Sequence, residues 1–157
     1  MVRDRSTVLV IGDVTGHDQG AVVQMAQMRN VLRGVAHALG QSPATVLHAL
    51  DWAVLDLAIG SLSTVVLARI EQSPDDIRSC RRTLRWSNAG HLPPLVVDAD
   101  GRTELLDRPH DLLVGLRVES DRHDHTHQLP PGSTLLLYTD GLVERRGQDL
   151  GVGLGLL

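Results

Sequence analysis

Hydrophobic and polar positions alternate along this chain in two different rhythms. Residues 7–11, Thr-Val-Leu-Val-Ile, form a β-branched and aliphatic run that predicts a buried strand ending at Gly12. From Ala21 the period lengthens. Val22, Met25, Met28, Leu32, Val35 and Leu39 recur every three or four residues and predict one face of a helix over 21–39. Gly40 is placed to stop that helix, and Ser42-Pro43 to start another, with Ser as N-cap and Pro in the first turn. Val46, Leu50, Val54 and Leu57 then line a face of a second helix over 43–58. So short a connection predicts an antiparallel helical pair.

After Gly60 the rhythm becomes two. Leu62, Thr64, Val66, Ala68 and Ile70 fall on one strand face, with Arg69 and Glu71 on the other. Residues 73–76, Ser-Pro-Asp-Asp, read as a turn. Leu84, Trp86 and Asn88 alternate with Thr83, Arg85 and Ser87. Residues 95–97 and 103–106 suggest a hairpin across Asp100-Gly101, and 134–139 another buried strand. The polar stretch 107–128 has no clear period. One strand, two helices and then a run of strands predict an α+β layered domain with antiparallel pairing, without the regular alternation of a doubly wound sheet.

Composition narrows the chemistry. At 157 residues and 17.0 kDa the chain is the size of one domain, read as 1–157. Its 42% hydrophobic and 22% charged content is that of a globular chain. The net charge of −4 and the 2% aromatic content argue against a nucleic-acid partner, which needs a basic face or a stacking platform. All 15 basic residues are Arg, which excludes P-loop, Schiff-base and pyridoxal chemistry, each built around a lysine amine. The one cysteine, Cys80, excludes internal disulfides and multi-cysteine zinc sites. No apolar run approaches the roughly 18 residues that cross a bilayer, and residues 1–7 lack a signal-peptide core. The expectation is a cytoplasmic domain with no membrane or nucleic-acid partner, and a homodimer is left open.

Two segments share one design. In Ile11-Gly12-Asp13-Val14-Thr15-Gly16-His17 and Leu137-Tyr138-Thr139-Asp140-Gly141, an aliphatic strand ends in Asp beside a glycine-assisted bend. Side by side, two such ends would present carboxylate oxygens to one hard cation such as Mg²⁺ or Mn²⁺. Each Asp could equally close an Asx turn or cap a helix. A third segment, 87–95, sets Asn88, Gly90 and His91 in a turn between strands. It could face a site or simply satisfy its own backbone. His123, His125 and His127 alternate, as a metal site on a strand would, although an edge strand without that role fits as well. Arg145-Arg146 reads as a solvated helix end and Cys80 as incidental.

The three blocks GDVTGH at 12–17, NAGHLPPL at 88–95 and LLLYTDGLVERR at 135–146 resemble the signature blocks of SpoIIE-type serine phosphatases. These belong to the metal-dependent PPM (PP2C-like) protein phosphatases. The blocks occur in the family's order, with the helical pair between the first two, and Leu113-Val114-Gly115-Leu116 resembles a further short element. The resemblance implies an αββα sandwich with a two-metal centre of Mn²⁺ or Mg²⁺. It implies Asp13 and Asp140 as metal ligands through their carboxylates and Val14 through its carbonyl. Two metals roughly 4 Å apart bind and acidify a water and aim it at phosphorus. His17 corresponds to a histidine proposed as acid for the leaving serine oxygen, and a turn-stabilising role stands beside that one. The implied substrate is a phosphoserine or phosphothreonine protein of the anti-sigma-factor antagonist type. The two helices would be the element that shifts to complete the metal site.

The sequence also departs from the pattern. The family's acidic GGD-x-YD block before the first strand and its DD block near the end are absent from it, and Asp18 stands where a glycine is usual. The expectation is therefore a domain incomplete at both ends, with a thin ligand shell. A catalytically impaired pseudophosphatase, or binding module in a partner-switching circuit, is the rival reading.

Overall fold

The computed structural model describes residues 6–16, 18–117, 120–144 and 150–155. Its centre is a four-stranded antiparallel sheet in the order β1-β2-β3-β6, made of Thr7–Val14, Ser63–Glu71, Arg82–Ala89 and His125–Leu129. A three-stranded antiparallel sheet, β5-β4-β7, comprises Thr103–Leu105, Leu95–Val97 and Thr134–Leu136. Helices α1 (Gln19–Leu39) and α2 (Pro43–Asp56) cover the outer face of the first sheet. The short helices α4 (Asp140–Val143) and α5 (Leu150–Leu154) lie against the outer face of the second. The result is the αββα sandwich.

Strand alternation makes three apolar layers from these four. On β2, Val65 and Leu67 face the helices, where Met28, Leu32, Val46, Leu47, Leu50 and Val54 meet them. Val66 and Ala68 face the other way and pack with Leu84, Trp86, Val96 and Leu106 between the sheets. The third layer gathers Leu95, Tyr138 and Val143 beneath α4 and α5. A strand buried on both faces is the sheet's anchor, because both of its side-chain sets are withdrawn from water.

The ends of the elements follow local chemistry. Ser42 caps α2 with Pro43 in the first turn, and Gly40 closes α1, as the sequence suggests. Asp18 caps α1, its Oδ1 accepting the Ala21 amide at 2.8 Å. The departure from glycine thus adds a side-chain cap to the start of a helix, about a few tenths of a kcal/mol over glycine at that position. Residues 73–76 open a short helix, α3 (Pro74–Arg78), through a reciprocal capping box of Ser73 and Asp76. Those bonds hold the Asp76 carboxyl below the usual carboxylate range.

Several expectations are corrected. β1 is not buried. Among the described residues it pairs with β2 alone, and Val8 and Val10 are 50% and 42% exposed where α1 leaves its outer surface open. The α1 stripe is buried at Met28 and Leu32, but Val22, Met25 and Leu39 are exposed. Leu57 lies past the last turn of α2 and is also exposed. The final strand is shorter than 134–139, ending its pairing at Leu136. The aperiodic stretch 107–128 crosses between the sheets by two isolated bridges, Ser63 with Val114 and Ala89 with Asp111, before β6. It is fixed to α2 by a buried ion pair. Arg122 donates to both carboxylate oxygens of Asp51, at 2.9 and 2.8 Å, and both side chains are 1% exposed.

Candidate active site

Asp13 is the penultimate residue of β1, opposite Thr64 of β2 in the antiparallel register. Gly12 precedes it because the strands approach closely there. A Cβ at Gly12 would lie 2.5 Å from the Thr64 carbonyl oxygen. Beyond Val14, Thr15 returns to β2 by donating its backbone N–H to the Leu62 carbonyl at 3.0 Å. Asp140 opens α4, and its carboxylate lies in the first turn, where the free amides favour an anion.

His91 joins these two ends. Asn88 builds its loop: the Asn88 Oδ1 accepts the His91 amide at 2.8 Å, and the Asn88 Nδ2 donates to the His91 carbonyl at 2.9 Å. Gly90 between them takes φ +68, a conformation that a side chain would strain. The imidazole is 8% exposed. Its Nδ1 lies 2.8 Å from Thr64 Oγ1, across from Asp13, and its Nε2 lies 3.0 Å from the Tyr138 carbonyl, two residues before Asp140. Burial holds its pKa below the ordinary histidine value. The bond to Tyr138 and the charges of Asp13 and Asp140 pull the other way. Both carboxylates therefore act on one imidazole, and the structure brings the two predicted aspartates to the same end of the sandwich.

Among the described residues no cation neutralises either carboxylate. Among the described residues Asp13 accepts only the adjacent Val14 amide, at 2.9 Å, and neither Asp13 nor Asp140 forms an ion pair with another described residue. Both are exposed. Uncompensated, all-oxygen donors of this kind fit a hard divalent cation. Val14 ends β1 opposite Ser63. His17 and Arg145-Arg146 lie outside the described residues.

The histidine trio does not converge. His123 Nδ1 pairs with Asp111 at 2.7 Å, His125 Nε2 meets the Pro109 carbonyl at 3.0 Å, and His127 faces Glu104 at 3.8 Å. Asp111 raises the His123 pKa through that hydrogen bond. No group of three His, Cys, Asp or Glu side chains among the described residues forms a metal cluster. The sequence left His91 open between facing a site and satisfying its own backbone, and the structure seats it between Thr64 and Tyr138. Its signal was the Asn88–His91 spacing of three residues, which lets an amide close both backbone groups of the loop.

A two-sheet sandwich with helices on both outer faces, and carboxylates at one end, defines the PP2C class of phosphatase domain. The family model of Stage II sporulation protein E (SpoIIE) matches residues 3–156, and the chain belongs to that family. It is similar to the crystal structure of the RsbU and RsbW domains of a Mycobacterium tuberculosis protein. Identity is 28% and the TM-score 0.82, over 98% of this chain and 41% of that one. The chain thus spans less than half the length of that relative. Two further structures share the fold. The PP2C phosphatase domain of SpoIIE from Bacillus subtilis, with a fragment of its regulatory domain, has 15% identity and a TM-score of 0.70 over 95% of this chain and 42% of that one. RsbX in complex with magnesium has 15% identity and a TM-score of 0.65, over 99% and 74%. No helix among the described residues is long and apolar enough to cross a membrane.

Proposed function

We propose that this chain provides the phosphatase chemistry of a metal-dependent protein serine/threonine phosphatase. The observation that carries the reading is that His91 lies between the strand of Asp13 and the approach to Asp140, within reach of both charges, in a chain of the SpoIIE family. Asp13 and Asp140 hold the metal through their carboxylates, with the Val14 carbonyl as a further donor. The magnesium complex of RsbX supports a divalent cation here. Such ions, Mn²⁺ or Mg²⁺, supply an acidified water and neutralise charge on the phosphoryl group. The protein's own part is positioning. β2 fixes the height of Asp13, and the Tyr138 bond fixes the start of α4. His91 is no general base: it is buried, and both of its ring nitrogens are engaged. His17 is the proposed proton donor to the leaving oxygen. The proposed substrate is a phosphorylated protein of the anti-sigma-factor antagonist type.

A second reading, a binding module with little turnover, is favoured by the thinness of the described ligand set, which lacks a third carboxylate. One assay separates the two. Phosphate release from a phosphoserine peptide is measured with Mn²⁺, with and without chelator. The enzyme reading expects release that chelator and Asp13→Asn each abolish. A folded, manganese-treated protein that releases no phosphate supports the binding module.

A further inference from the structure

We infer that His91 is a positioning residue that sets the separation of Asp13 and Asp140 through the hydrogen-bonded chain Thr64–His91–Tyr138, so that cation capture depends on this chain as well as on the carboxylates. The inference rests on the metal reading above and extends it to a residue outside the proposed ligand set.

The direction of each bond follows from its partner. A carbonyl oxygen only accepts, so His91 Nε2 must carry the proton that it gives to Tyr138 at 3.0 Å. In the neutral ring, Nδ1 is then an acceptor, and the Thr64 hydroxyl donates to it at 2.8 Å. Burial favours that neutral ring. One tautomer therefore satisfies both partners, and the ring cannot flip without breaking both bonds.

The consequence lies in what is tied to what. Thr64 belongs to the four-stranded sheet and is the register partner of Asp13. Tyr138 follows β7 of the other sheet and leads directly into Thr139 and Asp140. Between the sheets the packing is apolar, from Val66, Trp86, Leu106 and their neighbours. Apolar contact is non-directional. The imidazole adds a directional strut at the end of that interface, where the two carboxylates stand. The Asn88 amide holds its backbone on both sides. A cation bound to both carboxylates needs them at a fixed distance, and groups that orient ligands control metal affinity strongly.

The test measures Mn²⁺ affinity by calorimetry on the folded protein, for wild type, His91→Gln, Thr64→Val, Thr64→Ser, Asp13→Asn and Asp140→Asn. Positioning predicts that His91→Gln weakens Mn²⁺ binding by roughly 10- to 100-fold, the range for groups that orient ligands. Thr64→Val, which keeps the volume and removes the donated proton, weakens it in the same direction. Thr64→Ser restores it. The Thr64→Val/His91→Gln double variant is no worse than His91→Gln alone, because both break one chain. A merely structural role would lower Tm in all of them and leave affinity unchanged. Should His91→Gln fail to fold, the Val and Ser variants of Thr64 decide the matter alone. Wild-type affinity in Thr64→Val and His91→Gln, with loss in Asp13→Asn and Asp140→Asn, overturns the positioning role and leaves the metal reading standing. Wild-type affinity in the two aspartate variants, or no binding by the wild type, overturns both.

Discussion

β1 and β2 run side by side through eight register pairs, yet they live in different environments. β2 is buried on both faces, with Val66 and Ala68 at 0% exposure, while β1 shows Val8 and Val10 to solvent. The strand that carries Asp13 is thus the weaker of the two. Its position is borrowed from its neighbour, through the register, the close approach at Gly12 and the Thr15 bond. The comparison teaches that Asp13 takes its place from the buried strand it is paired with.

The sharpest way to break the comparison is to remove a support of the buried half. Arg122→Met leaves Asp51 buried without its partner and is expected to cost about 3–5 kcal/mol in urea unfolding. Pairing it with Asp51→Leu should recover much of that loss. Next comes a matched pair of truncations. Leu67→Ala on β2 is expected to cost roughly 2–5 kcal/mol, as a large-to-small core change. Val10→Ala on β1 should cost under about 1 kcal/mol, since its side chain is already half in water. Equal losses at the two sites would end the distinction. Asp18→Ala should cost about 1 kcal/mol through the lost cap of α1, with Asp18→Asn retaining most of it.

The smallest effect is a pH slope. Folding favours neutral His91, whose pKa burial holds below the ordinary histidine value, so the unfolded chain binds that proton more tightly. Its contribution is present above about pH 6.5 and is lost as pH falls through the folded value. His123, raised by Asp111, works oppositely, its contribution fading as pH rises through its own folded value. The difference in Tm between wild type and His91→Gln should therefore narrow from pH 7.5 to pH 5. A difference that widens contradicts the sign.

Much of this was legible in the sequence where a period or a cap carries it. Met28, Leu32, Val46 and Leu50 announce the helical core, and Ser42-Pro43 announces a helix start. The inter-sheet face of β2 follows from strict alternation. Periodicity could not reveal what lies opposite a face, so Val22, Met25 and Leu57 pointed at solvent instead of core. An aliphatic run likewise cannot say how deeply it is buried, and β1 leaves Val8 and Val10 to solvent. The aspartates were legible as strand-end carboxylates. His91 was not, because its partners Thr64 and Tyr138 are 27 and 47 residues away and only the folded sandwich brings them together. The buried pair Asp51–Arg122, 71 residues apart, was hidden for the same reason.

The central claim is that Asp13 and Asp140 act on bound cation together. A manganese titration of wild type, Asp13→Asn, Asp140→Asn and the double variant, followed by the loss of the free Mn²⁺ resonance signal, tests it most directly. The account predicts that each single variant loses most of the affinity and that the double variant loses little more, the signature of coupled groups. Two independent, additive losses, or binding unchanged in either single variant, would contradict it.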